Sequence, residues 1–109
     1  MIGKLIIVGT PIGNLQDFSQ RAMDTLKSVD FIAAEDTRVT LKLLNHFNIK
    51  KPLTSYFEHS DKQKAEFICT RILNGETCAL VSDAGMPAIS DPGEKLVRLC
   101  EEKGIPVTV

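Results

Sequence analysis

The chain has 109 residues, 43% hydrophobic and 25% charged, with 13 Lys and Arg against 14 Asp and Glu for a net charge of −1. That is length for one domain with a real core, and the composition excludes an intrinsically disordered chain. It also excludes a chain-wide basic footprint for nucleic acid, and no apolar run approaches a membrane span.

Lys4 to Val8 is a continuous, largely β-branched run, as a strand buried on both faces requires. It is too short, and too soon followed by Gly-Thr-Pro, for a signal peptide. Asp17 to Ser28 has helical spacing, with Phe18, Ala22, Leu26 and Val29 along one stripe. Asp17 and Gln20 are spaced as a capping box at its start. Phe31 to Ala34 reads as a second strand. Thr37 to Phe47 reads as a second helix burying Leu43, Leu44 and Phe47.

Leu53 to Ser55 is a short third strand. Ser60 to Leu73 is the clearest helix, because Ala65, Ile68, Cys69, Ile72 and Leu73 keep the i, i+3, i+4, i+7, i+8 spacing and Gly75 supplies the stop. Thr77 to Val81 reads as a fourth strand. Asp91, Pro92 and Glu94 open a last helix as N-cap, first position and third position, and Gly104 closes it. A fifth strand begins near Pro106.

Strands alternating with helices imply an α/β fold. The expectation is three layers, a mostly parallel five-stranded sheet with helices on both faces, joined by right-handed crossovers. Residues 1–109 then form one α/β domain. The last run, Ile105 to Val109, reads as a strand just begun, so a second domain beyond it is expected. Cys69, Cys78 and Cys100 are odd in number and show no CxxC spacing. They read as reduced core thiols of a cytoplasmic protein, not as metal ligands.

In parallel sheets ligands bind at the carboxyl ends of the strands, near the point where strand order reverses. Three loops at such ends are unusual. VGTPIGNLQD, Val8 to Asp17, sets Gly9 and Gly13 four apart around Pro11. This is not the G-x-G-x-x-G of dinucleotide folds. It lets a ligand approach the backbone, or it is a turn that needs positive φ.

AAEDTR, Ala33 to Arg38, puts two carboxylates and an arginine at the end of the second strand. Asp36 or Thr37 suits a helix cap and Arg38 can pair with an acid, or these charges line a cleft. SDAGMPAISDPG, Ser82 to Gly93, is longer than a helix cap needs. Asp83 sets a carboxylate at the strand end, and Gly85 removes the Cβ where a flat ligand can lie against the backbone. The helix that follows offers free N–H groups to a carboxylate. S-adenosylmethionine has the carboxylate, amine and flat ring that would suit this edge.

These three motifs, in this order and spacing, resemble the N-terminal domain of the tetrapyrrole (corrin/porphyrin) methylase superfamily. Within it they resemble the branch that modifies small-subunit ribosomal RNA, and the resemblance covers Lys4 to Val109. It implies S-adenosylmethionine as methyl donor and the ribose 2′-hydroxyl of a cytidine in 16S ribosomal RNA, or in the small ribosomal subunit, as acceptor. It also implies two α/β domains with the cofactor in the cleft between them, and a homodimer; neither a metal nor a membrane is expected as a partner.

Carried onto this sequence, cofactor binding falls on Pro11, Asp83, Ala84, Gly85, Met86 and Pro87. Substrate binding falls on Gly13, Asn14, Glu35, Asp36 and Arg38. Met86 stands where the family's motif has Thr, exchanging a hydroxyl for a thioether. Glu35 and Asp36 are the candidates for the base. Asp83, His46 and His59 are further titratable groups, the two His at helix ends. Arg38, with Lys42 one turn on, can meet a phosphate or can be a solvated helix face. Two other functions suit the same scaffold: methylation of a small tetrapyrrole, and a non-catalytic nucleotide-binding module.

Overall fold

The computed structural model of the chain describes residues 1–9, 18–56, 62–82 and 93–109. Five strands and four helices alternate: β1 (Leu5–Gly9), α1 (Gln20–Ser28), β2 (Phe31–Ala34), α2 (Thr37–His46), β3 (Leu53–Ser55), α3 (Lys62–Leu73), β4 (Cys78–Ser82), α4 (Gly93–Glu102) and β5 (Val107–Thr108). The strands form one sheet in the order β3-β2-β4-β1-β5, and every pair in it is parallel. The α/β fold expected from the alternation is therefore present.

Side chains alternate across the sheet with period two. Leu5, Phe31, Ala33, Cys78 and Leu80 point to one face and join Ile68, Cys69 and Ile72 of α3 and Leu96 and Cys100 of α4. Val8, Ile32, Ala34, Ala79 and Val81 point to the other and join Leu26 of α1 and Leu43 and Leu44 of α2. Each fully buried Leu, Ile or Phe stabilises the fold by roughly 1.5–3 kcal/mol through burial, so these two cores carry most of the domain. All three cysteines are buried and free, as expected.

The helix ends follow local chemistry. At α1 the cap is Ser19, whose Oγ accepts from Ala22 N at 3.0 Å. This corrects the capping box expected at Asp17 and Gln20. Gln20 is the first helical residue and its amide donates forward to Asp24 at 2.9 Å. The hydroxyl three residues before Ala22 reaches the free N–H without help. Asp17 itself, like Ser60, Asp91 and Pro92 at the other expected starts, lies outside the described residues.

Three helices end alike. Asn48 (φ 56°), Gly75 (φ 106°) and Gly104 (φ 76°) take the left-handed conformation. The next residue's N–H closes back: Ile49 to Leu44, Glu76 to Arg71 and Ile105 to Cys100. This is the Schellman arrangement, and it satisfies carbonyls the helix leaves open. Leu73, expected on the buried stripe of α3, is 37% exposed because it sits at the stripe's rim. Phe47 caps α2 and stacks on Phe18, ring centroids 5.6 Å apart.

Among the described residues no helix is long and apolar enough to cross a membrane. Nor does any group of three or more His, Cys, Asp and Glu gather as metal ligands would.

Candidate functional site

The chain steps from β1 over β4 to β2 and on to β3, then returns to place β4 between β1 and β2. The outgoing connections split accordingly. Those of β1 and β2 pass to the α1–α2 face, and that of β4 passes to the α3–α4 face. Neighbouring parallel strands whose connections turn to opposite faces leave a crevice beyond their carboxyl ends. Here it opens on both sides of β4.

Register makes the crevice compact. Gly9 pairs with Ser82, Ala34 with Val81, and Ala34 with Ser55. The three loops singled out in the sequence thus leave one edge of the sheet at neighbouring points, with adjacent strands about 4.8 Å apart. Pro11, Gly13, Asn14, Asp83, Ala84, Gly85, Met86 and Pro87, and also His59, lie outside the described residues.

The β2 loop is described in full. Ala33 and Ala34 are buried and end the strand. Glu35 is exposed and turns the chain. Asp36 is the N-cap of α2: its Oδ1 accepts from Arg38 N at 3.0 Å and from Val39 N at 3.4 Å. That accounts for one of the two carboxylates structurally. Arg38, in the first turn, has its side chain 90% exposed, with Nε 3.7 Å from the same Asp36 oxygen. Glu35 has no ion-pair partner among the described residues.

Glu35, Asp36 and Arg38 are therefore together at the carboxyl edge, while His46 is not. It is the last residue of α2, eight positions from Arg38 and so about 12 Å along the axis. There it stands edge-on to Phe47, ring centroids 4.8 Å apart. Lys42 lies one turn beyond Arg38 and is exposed. The residues that sequence reasoning passed over are Lys50 and Lys51, in the turn before β3. The available signal was the sign of charge along that segment.

Comparison with known proteins agrees with this architecture. Residues 4–109 match the family described as Tetrapyrrole (Corrin/Porphyrin) Methylases. A Thermotoga maritima protein called ribosomal RNA small subunit methyltransferase I is 55% identical over 108 residues, which are 99% of this chain and 49% of that protein. One of the same name from Haemophilus influenzae is 52% identical over 107 residues, 98% of this chain and 38% of that protein. The chain thus spans half or less of the length of these relatives.

Among solved structures, a uroporphyrin-III-C-methyltransferase from Thermus thermophilus superposes with a TM-score of 0.75 at 19% identity, covering all of this chain and 47% of that one. That likeness speaks for the fold. With the profile match spanning nearly the whole sequence, and with relatives more than half identical, the chain belongs to the tetrapyrrole (corrin/porphyrin) methylase family.

Proposed function

We propose that the full-length protein methylates the ribose 2′-hydroxyl of a cytidine in small-subunit (16S) ribosomal RNA, with S-adenosylmethionine as donor. In this reading the chain supplies one wall of the active cleft, a second α/β domain supplies the other, and the protein works in the cytoplasm as a homodimer. The observation that carries it is the identity of 52–55% over nearly the whole chain to proteins named for that RNA. The crevice at β4 supports it, since it brings the three loops to one edge.

S-adenosylmethionine supplies a methyl group already activated on a sulfonium, so the protein's work is mainly alignment. Pro11 and the run Asp83, Ala84, Gly85, Met86 and Pro87 hold the donor. Gly13 and Asn14, from the β1 loop, meet the RNA. The bound donor would supply the methyl group to the ribose oxygen, its sulfur keeping the electron pair of the broken carbon–sulfur bond. The hydroxyl proton passes to a carboxylate. Glu35 suits that role better than Asp36, whose Oδ1 is already engaged by two backbone N–H groups. Arg38 projects into solvent at the same edge, placed to meet a phosphate.

The test is transfer of a labelled methyl group by the purified full-length protein, with small ribosomal subunits and a tetrapyrrole offered separately. Label in 16S ribosomal RNA is the expected result. Label only in the tetrapyrrole, or in neither, would overturn the proposal in favour of a small-molecule methylase or a non-catalytic nucleotide-binding module.

A further inference from the structure

Charge in this chain is unevenly placed. The segment from Thr37 to Tyr56 contains Arg38, Lys42, Lys50 and Lys51 and not one Asp or Glu. It carries +4 in a chain whose total is −1, so the remaining residues carry −5. The segment is also a single structural strip: α2, the turn after it, and β3 at the edge of the sheet.

The strip has shape as well as sign. α2 buries Thr40, Leu43 and Leu44 and turns Arg38, Lys42 and Asn45 to solvent. Two shallow grooves follow the seam between α2 and β3. One, of about 350 Å³, lies at the carboxyl edge between Arg38, Leu41 and Ser55. The other, of about 390 Å³, lies at the opposite edge between Leu41, Asn45, Lys50 and Lys51. They meet at Leu41, which is 49% exposed. α2 alone is ten residues, about 15 Å. Among the described residues β3 pairs with β2 alone, so its outer hydrogen-bonding groups face away from the sheet.

Arg38 itself lies 3.7 Å from Asp36 at the end of the strip, and elsewhere Arg71 is tied to Glu76 at 2.7 Å, Arg98 to Glu94 at 2.7 Å and Lys103 to Glu66 at 3.0 Å. Among the described residues Lys42, Lys50 and Lys51 have no such partner. A run of four cations with no acid among them, in a chain whose remaining residues carry −5, is complementary to a polyanion, because each phosphate met releases counterions.

We propose that the α2–β3 seam is a phosphate track, along which the RNA backbone runs from the crevice at Arg38 to Lys50 and Lys51 at the far edge of the domain. This rests on the RNA reading above and extends the substrate contact well beyond the reacting nucleotide. Lys42, Lys50 and Lys51 would position the RNA and take no part in the chemistry.

The test compares the full-length protein with the triple variant Lys42→Gln, Lys50→Gln, Lys51→Gln, using 16S ribosomal RNA as the probe in filter binding over a range of salt. The expected result is RNA binding about tenfold weaker at low salt. The slope of log affinity against log salt should fall by about 2, at roughly 0.7 for each phosphate contact with a single strand. S-adenosylmethionine affinity and the thermal midpoint should not move, since these side chains lie at the surface. A control pair, Lys27→Gln with Lys95→Gln on the outer faces of α1 and α4, should leave RNA binding unchanged.

Unchanged RNA affinity and slope in the triple variant would overturn the track while leaving the RNA reading standing. An equal loss in the control pair would overturn it in favour of diffuse attraction. A triple variant that changes subunit association instead would make the seam a contact between copies. Failure of the unvaried protein to bind the RNA would remove both the track and the reading beneath it.

Discussion

Asp36 holds Arg38 by the backbone and pairs only loosely with its exposed side chain. The Oδ1 of Asp36 accepts the Arg38 amide at 3.0 Å, while the Arg38 Nε lies 3.7 Å from that oxygen on a side chain that is 90% exposed. A helix cap thus aims an arginine outward at the crevice edge. In the full-length protein Arg38→Ala should weaken RNA binding by roughly 1–3 kcal/mol, the range for one charge-assisted contact. Cofactor affinity should stay level, because an arginine has no attraction for a sulfonium. Equal losses in both titrations would move this loop into the cofactor site.

Glu35 and Asp36 separate by the kind of damage their loss does. Glu35→Gln should lower kcat by about 10²–10⁴-fold, the range for one general base, with no change in thermal midpoint. Asp36→Ala should instead lower stability by about 1 kcal/mol, as loss of an N-cap does. A Glu35→Gln enzyme with full kcat would remove Glu35 as the base.

Gly3 is required by packing. Its N–H donates to Ile72 O at 2.8 Å, and a Cβ built on it would overlap the Glu76 carbonyl oxygen. The neighbour is backbone and cannot swing aside. Gly3→Ala should therefore cost about 1–3 kcal/mol, the usual range for overpacking. Urea unfolding measures it, and a midpoint equal to that of the unvaried protein would contradict the overlap.

The Arg71–Glu76 pair ties the end of α3 to the start of β4. Arg71 Nε reaches Glu76 Oε2 at 2.9 Å and Nη2 reaches Oε1 at 2.7 Å, with the guanidinium 3.7 Å above the centre of the Phe31 ring. The hydrogen bonds from Arg71 hold the Glu76 carboxyl below its ordinary range. A carboxylate depressed in the folded state stabilises above its unfolded pKa, roughly 4.3. That contribution is lost as pH falls through the lower folded value. Glu76→Gln should therefore melt earlier than the unvaried protein near pH 7, and the gap should close as the pH drops below about 4. A gap independent of pH would mean that the carboxylate charge contributes nothing.

The thiols should be silent in the folded protein. Cys69 and Cys100 lie with their sulfurs 3.7 Å apart between α3 and α4. The contact with Cys69, and then burial, push the Cys100 thiol up, and burial pushes Cys78 up to about 12. A thiol-specific chromogenic reagent at pH 8 should find none of the three without denaturant and all three with it. Rapid labelling of the folded protein would contradict the burial.

Much of this was legible in the sequence because period and punctuation agreed. The β-branched run at Lys4 to Val8, the stripe through Ile68, Cys69 and Ile72, and the stops at Gly75 and Gly104 each have one structural reading. Asn48 was not legible as a helix stop, since Asn takes positive φ only when the turn around it closes. Ser19 was passed over as the cap because Asp17 also suits one, and only the observed hydrogen bond decides. Alternation implied parallel strands, but not that β4 would insert between β1 and β2. That insertion is what brings the carboxyl ends of β1, β4 and β2 side by side. Asp36 was read as a candidate base and a cap together, and the structure accounts for the cap. The acid-free strip from Thr37 to Tyr56 was present in the letters, but its meaning depends on the seam that α2 and β3 form.

The central claim is the methylated atom. Mass spectrometric mapping of 16S ribosomal RNA from a strain lacking the full-length protein, beside the same strain with it restored, tests that claim most directly. The expected result is one cytidine that lacks a ribose 2′-O-methyl group without the protein and regains it with the protein. No regain is expected with a Glu35→Gln variant. Identical ribose methylation in the presence and absence of the protein would contradict the claim.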